Sequence, residues 1–199
     1  MRPKDLEKEK AIRTLALQII AEEGLENLSM QKLAKAANIS PRTIYLKYEN
    51  KDDLLIKLFV DEVLGSYEGA VLVGFSEDME FAEGVRRIWQ NGWRYFKINR
   101  HAFALMQYGK SSPLLNRAYQ ERGIRQGQYF APIHRFLKRH EREGRIRRLP
   151  FDVQRALLFA PFMDIMNEYY DHLDRPRQII TERVLMEACE AAIMGMLKP

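Results

Sequence analysis

Apolar residues along this 199-residue chain recur at three- and four-residue intervals, and no stretch alternates strictly for long enough to make a strand. The pattern therefore predicts an all-α protein. Ile12, Leu15, Ala16, Ile19 and Ile20 form one stripe of a first helix from about Asp5 to Glu23, and Gly24 stands where a C-terminal cap belongs. Ser29 is an N-cap ahead of Met30, Leu33, Ala34 and Ala37, giving a short second helix that ends near Ala36. Asn38, a residue that tolerates left-handed backbone, makes the turn. Ser40 caps again, Pro41 takes the favoured first helical position, and a third short helix runs through Arg42, Thr43, Ile44, Tyr45 and Leu46. Two short helices about three residues apart make a helix-turn-helix pattern.

Asn50 caps a fourth helix that opens at Lys51, carries Leu54, Leu55, Leu58, Phe59 and Val63 inward, and weakens around Gly65 to Gly74. Further helices are expected at roughly 78–98, 101–109, 114–143, 152–172 and 176–197, with breaks at Asn99-Arg100, Ser111-Ser112-Pro113, Gly144 and Arg175-Pro176. Pro132 and Pro161 fall inside two of these helices and are expected to kink them. The length suits a small module followed by a medium one. The expected division is residues 1–50 and 51–199, linked by the helix that starts near residue 51.

Composition removes several classes. At 46% apolar and 30% charged residues the chain is too apolar for a disordered protein and can bury a core. Cys189 is the only cysteine, so an internal disulfide is impossible, and one cysteine with four histidines gives no zinc-finger ligand set. The charged start MRPKDLEKEK lacks the apolar segment of a signal peptide, and Ala156 to Met163, the longest apolar run, is too short to span a bilayer. A cytoplasmic protein is expected. No serine, cysteine or carboxylate pair forms a catalytic arrangement, and no cofactor or metal is expected; His134 and His140 with Glu141 and Glu143 do not stand at metal-ligand spacing.

Charge is informative by position. The net charge is +5, but residues 1–60 contribute only +2, whereas residues 100–149 hold 12 Lys and Arg against 3 acidic residues. From 29 to 51 there are 5 basic residues and 1 acidic, so the helix-turn-helix is locally basic, in agreement with phosphate binding. In such a unit the second short helix enters the major groove. Its presenting face here is Ser40, Pro41, Arg42, Thr43 and Tyr45. Arg42 can make paired hydrogen bonds to guanine O6 and N7, Thr43 can meet a thymine methyl or a phosphate, and Tyr45 brings a hydroxyl and a flat apolar face. Ser29, Gln31, Lys32, Lys47, Tyr48 and Lys51 surround it as phosphate contacts. Ser29 and Lys51 have an alternative reading as ordinary capping and dipole residues, and Tyr48 as packing between the third and fourth helices.

The run from Leu28 to Leu55, LSMQKLAKAANISPRTIYLKYENKDDLL, together with Ile12, Ala16, Glu23 and Gly24 upstream, resembles the N-terminal DNA-binding domain of the TetR family of bacterial transcriptional regulators. Ile39-Ser40, Thr43-Ile44-Tyr45, Tyr48, Lys51 and Leu54 fall at family spacing. Two positions depart: Asn38 replaces the usual turn glycine, and Pro41-Arg42 stands where a small residue is common. The resemblance covers about the first 60 residues. It implies a three-helix reading head, a helical effector-binding and dimerisation domain, and a homodimer paired through the last two helices. It also implies that a ligand shifts the fourth helix and changes the separation of two heads that need to stand about 34 Å apart.

Candidate residues for those further roles follow. Trp89, Trp93, Phe96, Phe103, Met106 and Tyr129, faced by Met163 and Asn167, are bulky and partly polarisable groups that can line a ligand cavity; plain core is the alternative for each. Val153, Leu157, Ala160 and Asp164, with Val184, Leu185, Ala188, Ala192 and Met196 of the final helix, form a face suited to a four-helix contact across a twofold axis, the alternative being burial within one subunit. The basic run His134 to Arg148 reads as a solvated face, with an anionic effector or nonspecific DNA as its functional alternatives. The expected protein is a ligand-responsive dimeric regulator, a repressor released from a palindromic double-stranded DNA operator by a small-molecule effector. The competing reading is a helical small-molecule carrier or sensor whose head docks a protein.

Overall fold

Residues 3–113 and 129–198 are described by the computed structural model, and every element among them is helical apart from one antiparallel bridge between Ile146 and Leu197. α1 spans Pro3–Glu23, α2 Met30–Ala36, α3 Pro41–Tyr45 and α4 Lys51–Lys57. A π-helical stretch, Leu58–Gly65, and α5, Ser66–Val71, follow. Then come α6 (Phe81–Ile98), α7 (Arg100–Ser111), α8 (Ala131–Arg142), α9 (Phe151–Leu158), α10 (Ala160–Asp171) and α11 (Glu182–Met196). The all-α class expected from the apolar spacing is the class observed.

Packing divides the chain into two units, Met1–Ser66 with Asn99–Arg125, and Tyr67–Ile98 with Gln126–Pro199. In the first, the α1 stripe of Ile12, Ala16, Ile19 and Ile20 is buried with Leu33, Ala34, Ile44, Leu54 and Leu55. α7 lies against α1 and the π-helical stretch, so a helix from the middle of the sequence packs in the unit that carries the helix-turn-helix. Packing thus cuts the chain elsewhere than residue 50, because a shared core is set by three-dimensional contacts and α7 finds its apolar partners on α1.

The second unit is built around α6, whose Val85, Ile88, Trp89 and Phe96 are buried with Phe136 and Leu137 of α8, Leu158 of α9, Phe162 and Met166 of α10, and Leu185, Cys189 and Ile193 of α11. Gly84 and Gly92 allow the close approach: a Cβ on them would lie 2.6 Å from Phe136 Cζ and 2.7 Å from Phe162 Cζ. Burial pushes the Cys189 thiol up to about 12, which leaves it an inert core group.

Three expected helices differ. Of 114–143, residues 114–128 lie outside the described residues; a helix begins only at Ala131, after Phe130 in left-handed backbone (φ 60), and Pro132 sits in its first turn where a missing N–H costs nothing. The expected kink at Pro132 is therefore replaced by a helix start. The 152–172 helix is broken at Phe159 (φ −123, ψ −20), with Pro161 in the first turn of α10. The last helix starts at Glu182 and not at 176, capped by Thr181, whose hydroxyl accepts the Val184 N–H at 3.3 Å.

Burial also fixes a pH dependence. His140 is fully buried beside Phe136 and Phe81, with Nε2 3.1 Å from Met79 O and 2.8 Å from the Arg139 guanidinium. Burial, then Arg139, holds its pKa below 6.5, and burial lowers His134 and His101 likewise. The fold thus binds fewer protons than the unfolded chain, so this contribution is complete above pH 6.5 and is lost as pH falls through and below 6.5. Thermal unfolding followed across that pH should show a falling Tm on the acid side, and His140→Gln should reduce the slope. A Tm independent of pH there would contradict the assignment.

Candidate nucleic-acid interface

Two short helices have too few internal hydrogen bonds to stand alone, and here caps and a shared core hold them. The Ser29 hydroxyl accepts the Lys32 N–H at 3.1 Å and the Ser40 hydroxyl accepts the Thr43 N–H at 3.3 Å. Asn38 takes the left-handed turn conformation (φ 52), and Ile39 N–H donates to Ala34 O at 3.0 Å, tying the turn to α2. Gly24 at φ 90 closes α1 as its position required. Beneath α3, Ile44, Leu33 and Tyr48 are buried, which fixes the face of α3 that points outward.

That face carries Ser40, Pro41, Arg42 and Tyr45, all exposed, with Thr43 half-buried. Among the described residues the Arg42 side chain has no hydrogen bond or ion pair, so its guanidinium is available. Tyr45 is 51% exposed, and the Thr43 hydroxyl lies 2.9 Å from that of Ser40. Leu46, 78% exposed beside Tyr45, was not singled out in the sequence. Its signal was an apolar residue off the Ile39, Ile44, Tyr48 register, and on this face it offers a contact to a thymine methyl. Exposed Lys35, at the end of α2, is a second addition.

The surrounding residues separate into two groups. Ser29 and Gln31 are exposed at the start of α2. Three of the cations are engaged: Lys32 pairs with Glu23, Lys47 Nζ lies 2.8 Å from Glu9 Oε2, and Lys51 Nζ donates to Leu25 O at 2.7 Å. The hydrogen bond from Lys47, with Arg13 also near, holds the Glu9 carboxyl below the usual range. The local basic excess counted over 29–51 is therefore tempered by two α1 carboxylates that the count omitted. Tyr48 is 1% exposed and packs in the head, its phenol pKa raised by burial, so it supports α3 from below and is corrected from a surface contact to a core residue.

The sequence profile described as "Bacterial regulatory proteins, tetR family" matches residues 12–58, the stretch that builds this face and its core. A protein of Haemophilus influenzae described as an HTH-type transcriptional regulator is 37% identical over 95 residues, 48% of this chain and 50% of that protein. Residues 12–58 are thus similar to the DNA-binding stretch of TetR-family regulators. The match to the curated relative spans half of that relative's length. Among solved structures of the family, a TetR transcription regulator from Marinobacter aquaeolei VT8 superposes with a TM-score of 0.84 at 24% identity, covering 100% of both chains. The Bacillus subtilis regulator FadR, solved in complex with stearoyl-CoA, gives a TM-score of 0.73 at 18% identity, covering 94% of this chain and 98% of that one.

The remaining candidates lie mostly in the second unit. Trp89, Trp93 and Phe96 are buried, Trp93 edge-on to Tyr169 and Phe96 stacked on Tyr67 at 4.6 Å, while Met163 is 9% exposed and Tyr129 half-buried. Asn167 is exposed and donates to Asp171 at 3.2 Å, so it faces away from these rings. Phe103 and Met106 belong to α7 in the first unit. Aromatic spacing alone could not separate two cores. On the expected pairing face, Val153 and Leu157 are 41% and 42% exposed, Asp164 is exposed, and Ala160, Val184, Ala188 and Ala192 are half-buried. Leu185 and Met196 are fully buried within the unit and are corrected from interface to core. Among the described residues no helix is long and apolar enough to cross a membrane, and no group of three His, Cys, Asp or Glu could hold a metal.

Proposed function

We propose that this chain is a DNA-binding transcriptional repressor that acts as a homodimer and leaves a palindromic operator when a small-molecule effector binds. The observation that carries the reading is the outward face of α3, where an unpaired Arg42 stands with exposed Tyr45 and Leu46 on a buried, doubly capped core. Residues 1–50 act as the reading head and 51–199 as the effector and pairing part. The exposed Val153 and Leu157, continued by Ala160 and Asp164 and by Val184, Ala188 and Ala192, are the surface for a second copy. An effector is in keeping with FadR, which was solved with stearoyl-CoA; the effector of this chain occupies the second unit near the Trp93, Phe96 and Met163 cluster.

Fluorescence anisotropy with duplexes from the intergenic DNA beside the gene tests this. The full chain should bind one region specifically at moderate salt. Arg42→Ala should lose roughly 1–3 kcal/mol there and relax selection at one base pair. Lys51→Ala should weaken all sequences alike and lower the salt slope by about one unit. Unchanged selectivity in Arg42→Ala would remove its base-reading role, and the absence of any specific complex would favour a head that docks a protein.

A further inference from the structure

The excess of basic residues between 100 and 149 is not spread evenly once ion pairs are considered. Arg139 lies 3.4 Å from Glu143 and donates to Met79 O, and Arg145 lies 2.6 Å from Glu80. Arg135 makes a two-pronged pair with Glu77 at 2.6 to 3.0 Å. The side chains of Lys138 and Arg142, by contrast, have no hydrogen bond or ion pair among the described residues. Both are exposed and line one cleft of about 650 Å³ between α8 and α9.

The cleft is built from several directions. Arg135, Lys138 and Arg142 share a face of α8 at positions i, i+3 and i+7, a run of about 10 Å along the axis. Arg148 enters from the connection to α9 and lies 3.4 Å from Glu141. Gln154, 2% exposed, donates through Nε2 to Glu141 Oε2 at 2.9 Å and to Leu149 O at 3.1 Å, so the one carboxylate of the lining is held by two partners. His134 and Phe151 stack at 3.7 Å and form a flat wall. Arg135 is paired with Glu77 and Arg148 with Glu141, so the uncompensated positive charge of the concavity is that of Lys138 and Arg142.

We propose that this cleft binds a small, multiply charged phosphate-bearing anion, with Lys138 and Arg142 as its direct contacts. Two uncompensated cations one turn apart match adjacent phosphoryl groups, and the arginine fork takes two phosphate oxygens at once. The volume falls in the range of small-molecule sites. A duplex presents a convex backbone and would be met by a broad surface, not a recess with a carboxylate among its cations, so a small anion is favoured over DNA. The site does not depend on the DNA-binding reading.

Calorimetry with the full chain, no DNA, and inorganic tripolyphosphate at moderate salt tests it. Saturable binding at one site per chain is expected, weakened about tenfold or more in Lys138→Gln/Arg142→Gln. An equal charge loss outside the cleft, Arg177→Gln/Arg183→Gln, should leave binding within about twofold of the parent. Both substituted pairs are exposed, and matching circular dichroism confirms that the variants fold. ATP binding more tightly than tripolyphosphate, with the same loss in the cleft variant, identifies a nucleoside polyphosphate that also uses the His134 and Phe151 wall; equal affinity identifies the polyphosphate group alone. No saturable binding, or equal weakening by both charge losses, overturns the proposal.

Discussion

If the chain pairs through the proposed face, Leu157→Asp is expected to yield monomers at micromolar concentration and to weaken operator binding by about 10²–10⁴-fold. Leu157 and Val153 lie one turn apart on α9, and each leaves about two fifths of its surface open although the neighbouring Leu158 is fully buried. An interface across a twofold axis uses the same patch on both copies, so one substitution alters the contact twice and sets two carboxylates against each other at its centre. Operator affinity falls because the second head no longer binds at the high effective concentration that linkage provides. The residue is partly exposed in the subunit, so the fold should survive, with an unchanged helical spectrum. Sedimentation equilibrium and anisotropy on a two-half-site duplex give the two readouts. A dimeric Leu157→Asp with parental affinity would place the pairing face elsewhere.

How much of this was legible depends on where the determining contacts lie in the chain. The helix-turn-helix could be read almost residue by residue: Ser29 and Ser40 cap, Asn38 turns and Ile44 is buried, because caps and tight turns are decided by neighbours within about four positions. The outward side of α3 followed from the same register. The charge of the interface did not. Glu9 and Glu23 reach Lys47 and Lys32 from α1, contacts that span 38 and 9 residues, and a count over 29–51 excludes them. Prolines misled in the second unit, since Pro132 and Pro161 fit a helix start as well as a kink, and only the backbone at Phe130 and Phe159 decides which. Periodicity also could not distribute aromatic residues between two cores, so Phe103 and Met106 were grouped with rings that pack in the other unit. The exposed Leu46 was legible in principle, as an apolar residue out of register with its helix.

The choice between core and pocket for the aromatic residues can be decided at Trp89. Trp89→Ala should cost about 3–5 kcal/mol, the range for deleting a large buried aromatic, and lower Tm by on the order of 10 °C. The indole is 1% exposed, lies edge-on to Phe162 at 5.5 Å, and donates from Nε1 to Leu158 O at 2.9 Å. That carbonyl belongs to the end of α9, where Phe159 leaves helical geometry, so the side chain both fills the centre of the second unit and ties α6 to the break between α9 and α10. Trp89→Phe separates the two contributions, because it keeps most of the packing and removes the donor, and should cost about 1–3 kcal/mol. A ligand-lining tryptophan behaves differently: its removal spares the free protein and weakens the effector response. Urea unfolding of both variants therefore distinguishes the roles. A loss of less than about 1 kcal/mol in Trp89→Ala, accompanied by a lost effector response, would move Trp89 from the core to the ligand site.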